Sequence, residues 1–442
     1  MHRHSCHHPP AGVGGVTISR ARIIAVGDEL LEGRTVDTNS GCVQRALAGA
    51  GIPVVGVEVV PDDSDAIGLA LSRTVTGELV VLTGGLGSTP DDLTREAVAT
   101  WAGVDLAEDS TLRRRMTERW QRRGVSRRAG VERQCQVPAG CEAVENPVGS
   151  APGLVGRLAE RTVVLLPGVP AEMESLLPLV VALLRGKDLL PEVGPQRLWR
   201  TAQVAELALV ERCAAVRSAH PDLHWSWWLT EWGCDVRLAM NAGGDESVFD
   251  QAAADVDEAL GRVAYSRGDE TLPAAVQRLL LAAGRTLSVA ESCTGGLIAA
   301  RLTDTPGASA CFSGGVVSYA DRIKVEYLDV PAEVLESHGA VSEEVATAMA
   351  AGCRRRLATD YALAVSGISG PDGGTADKPV GTTWVALATP TVVFARRYRF
   401  TADRPRNRLL TVAAALDSLR RLLETDDSIS PWYPGDTWSR LR

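Results

Sequence analysis

Twice in this chain of 442 residues a short apolar run ends in a glycine-rich turn and gives way to helical spacing. Leu79–Thr83 runs into Gly84-Gly85-Leu86-Gly87-Ser88. Thr286–Ala290 runs on through Ser292-Cys293-Thr294-Gly295-Gly296, and Leu297, Ile298, Arg301 and Leu302 follow at helical intervals. Strands that alternate with helices in this way pack as a mostly parallel sheet covered on both faces. Ligands of such sheets sit at the carboxyl ends of the strands. Each turn also places backbone N–H groups at a helix start, a setting that suits an anion, typically a phosphate. The two turns therefore mark where function is to be sought.

Around the first turn, strands are expected over Ile18–Val26, Val54–Val60, Leu79–Thr83 and Thr162–Leu166, with helices over Asn39–Gly49 and Asp65–Val75. Arg113–Arg128 is a basic run, helical at least in its first half. Residues 175–266 are poorer in glycine turns, and alternation over His224–Leu238 predicts antiparallel strands. Trp225, Trp227, Trp228 and Trp232 cluster there and read as core or interface packing. A second α/β stretch follows, with strands over Phe312–Tyr319 and Tyr361–Val365. The expected organisation is an α/β chain: a tail over 1–17, an α/β domain over 18–174, a small α+β module over 175–266, a second α/β domain over 271–425, and a tail over 426–442.

Lysine plus arginine number 46 and aspartate plus glutamate 55, a net charge of −9. An acidic surface argues against bulk binding to nucleic acid or anionic membrane. No apolar run approaches the ~20 residues a membrane span needs, and no signal-peptide core precedes residue 18. A cytoplasmic, homo-oligomeric protein is expected. The nine cysteines include no CxxC and are odd in number, which fits reduced thiols. His2, His4, His7 and His8 form a tail that reads as an extension ahead of the first domain.

Amide hydrolysis needs a nucleophile, a base and donors for the developing oxyanion. His338 is the one histidine of the last domain, so a Ser-His-Asp triad is not expected. Serine with lysine is the alternative, and such a lysine must be neutral, through burial or a neighbouring cation. Ser309, Tyr319 and Lys324 fit nucleophile, proton relay and base, with Ser292 a rival nucleophile and Cys293 a weaker one. From spacing alone the plainer reading is stronger: Ser309 caps a turn and Lys324 lies on a solvated helix face. A second glycine-rich loop, Ser366–Gly374, follows a strand. Arg404 and Arg408, four apart, share one helix face and can clamp a phosphate.

Five segments carry a resemblance: Ala290–Gly296, Gly314–Tyr319, His338–Glu343, Ser366–Gly374 and Lys378–Thr382. Over residues 272–424 the chain resembles the CinA C-terminal domain family, which includes nicotinamide-nucleotide amidases. The resemblance implies hydrolysis of nicotinamide mononucleotide to the nicotinate form plus ammonia, with no cofactor. It implies a Ser-Tyr-Lys set, mapped to Ser309, Tyr319 and Lys324, and a pocket of Ser292, Thr294, Gly295, Gly296, Ser366, Gly367 and Arg404.

The front half resembles the molybdopterin-binding-like domain of full-length members, through Val26–Gly33, Asp37–Asn39, Thr83–Thr94, Asn146–Gly153 and Leu166–Met173. That implies metal-dependent ADP-ribose pyrophosphatase activity, or else an inert scaffold. Gly84, Gly85, Gly87 and Thr89 would then cradle a diphosphate, and Asp91 and Asp92 would hold a divalent cation. A non-catalytic nucleotide-sensing or recombination partner is the alternative from another class. Ser88 stands where the family carries proline, and Gln203–Leu207 departs from the family's glycine-containing signature.

Overall fold

The computed structural model describes residues 17–122, 131–425 and 439–441. The histidine-rich tail and the second half of the basic run lie outside them. The chain forms two compact units, divided between Val193 and Gly194.

The first unit holds β1 (Ala21–Val26), α1 (Asn39–Gly49), β2 (Val54–Val60), α2 (Ser64–Ser72), β3 (Leu79–Thr83), α3 (Thr94–Ala102), α4 (Ser110–Arg122), β4 (Cys141–Val144), β5 (Gly153–Leu158), β6 (Arg161–Leu166) and α5 (Pro170–Gly186). One six-stranded sheet runs β2-β1-β3-β6-β5-β4. Its first four strands are parallel, and β5 and β4 are antiparallel additions. Ile23, Val81 and Val164 face one core, and Ile24, Leu82 and Leu165 the other. Burial on both faces is why these strands read as unbroken apolar runs.

The expected boundary at residue 174 is corrected. Helix α5 runs through it, and its Met173, Leu176, Leu177, Val180 and Leu184 are buried in the first core. The apolar stripe at helical spacing needs that sheet face, so the unit extends past the helix.

The second unit begins with β7 (Gln196–Thr201), β8 (His224–Leu229), β9 (Cys234–Ala239), α6 (Glu246–Leu260) and β10 (Ala264–Ser266). These strands make a four-stranded sheet in the order β8-β9-β7-β10, with β8–β9, β9–β7 and β7–β10 antiparallel. Trp232 is buried, and Trp225 and Trp227 stack with ring centroids 5.5 Å apart against the core, whereas Trp228 is 38% exposed, which corrects the packing expectation for that residue.

The remainder contains α7 (Leu272–Ala283), β11 (Leu287–Glu291), α8 (Leu297–Thr303), β12 (Phe312–Val317), α9 (Asp321–Leu328), α10 (Glu343–Leu357), β13 (Tyr361–Gly367), β14 (Thr382–Ala388), β15 (Val393–Arg399), α11 (Arg404–Thr425) and β16 (Ser439–Leu441). The sheet order is β12-β11-β13-β14-β15-β16. Strands β12, β11 and β13 are parallel, so their carboxyl ends share one edge. Helix α7 starts on Thr271, whose hydroxyl accepts from the Ala274 N–H, and stops at Gly284 in a left-handed conformation. Helix α10 carries Glu343 and Glu344 in its first turn and Arg354–Arg356 in its last, complementing its dipole.

A buried ionic knot ties α11 to the antiparallel module of the same unit. Asp417 accepts from Arg420 Nε at 2.8 Å and from Arg421 Nε at 2.8 Å, and both arginines donate to the Arg262 carbonyl. Asp417 is 1% exposed. Removing one partner strands buried charge, at a cost of about 3–5 kcal/mol. Asp417→Ala is therefore expected to lower the thermal midpoint by about 10 °C. A melt within 2–3 °C of wild type would show that the knot contributes little.

Among the described residues no helix is long and apolar enough to cross a membrane.

Candidate functional site

The carboxyl edge of β12, β11 and β13 brings together much of what the sequence marks as the site. Glu291, the last residue of β11, pairs with Val317 on one side and Val365 on the other. One step further, Ser292 N–H donates to the Val365 carbonyl at 3.0 Å, and Ser318 N–H donates to the Glu291 carbonyl at 2.8 Å. Ser292, Ser318 with Tyr319, and Ser366 with Gly367 therefore lie on neighbouring strands, spaced about 5 Å apart per strand. Gly295 and Gly296 have φ of 62° and 95°, which lets the chain reverse from β11 into α8.

Ser292 is half-buried, and its Oγ makes no hydrogen bond among the described residues. Thr294 is fully buried with its Oγ1 unpartnered among them. Ser366 Oγ is committed, donating to the Ala340 carbonyl at 2.6 Å. Lys324 is 1% exposed and, with Leu328, is one of the two buried residues of α9. Its Nζ donates to the Ser318 carbonyl at 2.9 Å, to the Tyr319 carbonyl at 3.4 Å and to Asp321 Oδ1 at 3.1 Å. The expected solvated lysine is thus corrected: Lys324 runs inward and holds the end of β12. Its charged partner is the Asp321 carboxylate.

Tyr319 is exposed, and its phenol oxygen accepts from Arg404 Nη2 at 3.0 Å. Arg404 Nη1 donates to the Gly370 carbonyl at 2.7 Å, and Arg408 Nη2 to the Thr294 carbonyl at 2.6 Å. The start of α11 thus touches all three loops. Buried Asn407 fixes it there, donating to the Ser369 and Ala402 carbonyls at 3.1 and 2.8 Å.

Ser309 does not join this group. It is exposed in a short turn ahead of β12, at the amino end of the strand. Cys311, next to it, lends its carbonyl to Leu287 N–H at the start of β11. The six residues of β12 separate Ser309 from Tyr319, a span of roughly 20 Å. Within this chain Ser309 is therefore not brought together with Tyr319 and Lys324, as the sequence led one to expect, and Ser292 is the serine that shares their strand edge. Cys293 is also set aside: burial pushes its thiol up to about 12.

The expected anion cradle after β11 is corrected as well. The N–H groups of Gly296, Ile298 and Ala299 already donate to the Glu291 carboxylate, at 3.0, 3.0 and 2.9 Å. Glu291, Asp321 and Asn407 are residues the sequence reading did not pick. For Glu291 a signal existed, since a carboxylate closing an apolar strand directly before a glycine turn needs a partner.

In the first unit, the loop after β3 closes on itself. Gly84, at φ 103°, passes so near β1 that a Cβ would lie 2.2 Å from the Val26 carbonyl oxygen, and its N–H donates to Leu166. Gly85 lies where a Cβ would meet Thr94 Oγ1 at 2.2 Å. The Gly87 and Thr89 N–H groups both donate to Asp92, at 2.7 Å each, as does the Thr89 hydroxyl. Asp91 is exposed. Arg133 donates to the Thr89 and Asp92 carbonyls, and Arg95 to that of Leu86. Burial brings Arg95 down to about 10.

Asp92 therefore closes the loop, with both of its carboxylate oxygens engaged by the protein's own N–H groups. Among the described residues no three histidines, cysteines or carboxylates are grouped to hold a metal.

The CinA C-terminal domain model matches residues 269–423, and the model for a probable molybdopterin binding domain matches residues 22–186. A CinA-like protein of Gemmatimonas aurantiaca is 39% identical over 423 residues, 93% of this chain and 98% of the relative. One from Frankia casuarinae is 40% identical over 425 residues, 91% of this chain and 96% of its own. The crystal structure of a CinA superfamily protein from Klebsiella pneumoniae aligns at 38% identity and a TM-score of 0.34, covering 35% of this chain and 96% of that one.

Proposed function

We propose a function from one premise: the chain belongs to the CinA family. Its second unit hydrolyses the carboxamide of nicotinamide mononucleotide to the carboxylate, releasing ammonia. The observation that carries this reading is the meeting of Ser292, Tyr319 and Lys324 at one strand edge, with Arg404 and Arg408 beside them. Ser292 Oγ would attack the carboxamide carbon and lose its proton through Tyr319 or Lys324. The C–N bond breaks as the nitrogen takes up a proton and leaves as ammonia. Water then cleaves the acyl ester, giving the carboxylate and restoring the serine. Arg404 and Arg408 supply planar donors suited to the substrate phosphate.

The test is direct. Purified full-length protein with nicotinamide mononucleotide is expected to release ammonia and the nicotinate nucleotide in equal amounts, with chelator present or absent. No ammonia above a protein-free control would overturn the reading.

For the first unit, the closed loop supports the scaffold alternative over pyrophosphatase chemistry. The donors that would hold a diphosphate serve the protein's own carbonyls and Asp92. Full-length protein is expected to leave ADP-ribose intact with magnesium, manganese or cobalt. Asp92→Asn is expected to keep ammonia release within about twofold, because Asp92 belongs to the other compact unit of the chain. Cleavage of ADP-ribose by wild type, abolished in Asp92→Asn, would reinstate the pyrophosphatase.

A further inference from the structure

We propose that Glu291 is a positioning residue whose buried carboxylate, rather than a ligand's phosphate, fills the turn after β11 and fixes Ser292 for attack. The inference rests on the amidase reading above. Glu291 is 1% exposed and forms no ion pair among the described residues. A buried carboxylate without a counter-ion is costly unless hydrogen bonds replace its water. Here three backbone N–H groups do so, from Gly296 and Ile298 to one oxygen and from Ala299 to the other.

Those three donors lie on the far side of the turn from Glu291 itself. The carboxylate therefore spans the Ser292–Gly295 segment and joins its two ends. The near end is already pinned by β-ladder bonds: Ser292 N–H to Val365, and the Glu291 carbonyl from Ser318. The far end contains Gly295 and Gly296, which alone would leave the turn mobile. One side chain thus couples the nucleophile's backbone to the first turn of α8.

The second consequence concerns substrate direction. With an internal anion in this place, a substrate phosphate is excluded from the turn by charge and by lost donors. It is left to Arg404 and Arg408, and the neutral carboxamide faces Ser292. The carboxylate acts through the turn and touches no reacting atom, so its loss is expected to appear in kcat rather than KM. Misplacement of a nucleophile by about 1 Å can cost about 10²-fold in rate.

In the full-length protein, Glu291→Gln is expected to lower kcat about 10²-fold with KM for nicotinamide mononucleotide within about threefold. Glu291→Ala is expected to lose as much and to regain part of it, saturably, in added formate, which returns a carboxylate to the vacated space. A thermal melt of each variant accompanies the kinetics, and the Gln variant carries the test if the Ala variant does not fold. Wild-type kcat in Glu291→Gln, or a rise in KM alone, overturns the proposal. So does a folded Glu291→Ala variant that formate does not rescue.

Labelling by a fluorophosphonate, in which Ser292 Oγ displaces fluoride from phosphorus, reports nucleophile placement without an amide. Slowed labelling in Glu291→Gln alongside an inactive wild type would remove the amidase reading and leave the positioning role standing. Equal labelling rates would remove the positioning role.

Discussion

Ser292→Ala is expected to abolish ammonia release, by about 10⁴-fold or more, while Ser309→Ala stays within about twofold of wild type. The two serines differ in the end of the sheet they occupy. Ser292 follows β11 at the carboxyl edge shared with Tyr319 and Lys324. Ser309 precedes β12 at the amino edge, exposed. A hydroxyl about 20 Å away cannot attack a carbonyl held at the other edge. Steady-state rates of the two variants, with melts to confirm folding, decide the matter. The reverse pattern, with Ser309→Ala inactive and Ser292→Ala active, would show that the catalytic arrangement is not the one at this edge.

The strand end that Ser309 occupies is legible in the sequence. In a parallel sheet, residues after a strand lie at the ligand edge and residues before it lie at the opposite one. Phe312–Tyr319 reads as a strand, so Ser309, which precedes it, falls at its amino end by order. Lys324 shows the opposite case. Its position one turn into α9 is visible, but its inward course is not, because helical spacing gives a face and not the depth of a long side chain. The closed loop around Asp92 was also out of reach. Consecutive aspartates before a helix suit metal binding, capping or loop closure equally well, and only the bonds from Gly87 and Thr89 decide among them.

The strands were the most legible part, because burial on both faces leaves runs such as Leu79–Thr83 with no polar interruption. The domain boundary was less so. Helix α5 has Pro178 inside it, yet its apolar stripe belongs to the first core. Tertiary packing, absent from any local window, settles such cases.

Lys324→Met is expected to lower kcat by about 10²–10⁴-fold, the range for loss of a general base. Methionine keeps most of the buried length, so the effect tests the amine and not the volume. In the resting arrangement the three N–H donors of an ammonium each have an acceptor: Ser318, Tyr319 and Asp321. Two are backbone carbonyls inside the fold. The third belongs to Asp321, whose side chain is 64% exposed and thus the partner most easily released to water.

A lysine base must give up one donor to take a proton, and Asp321 is the contact that can open. A kcat equal to wild type in Lys324→Met would instead leave Tyr319, held by Arg404, as the group that takes the serine proton.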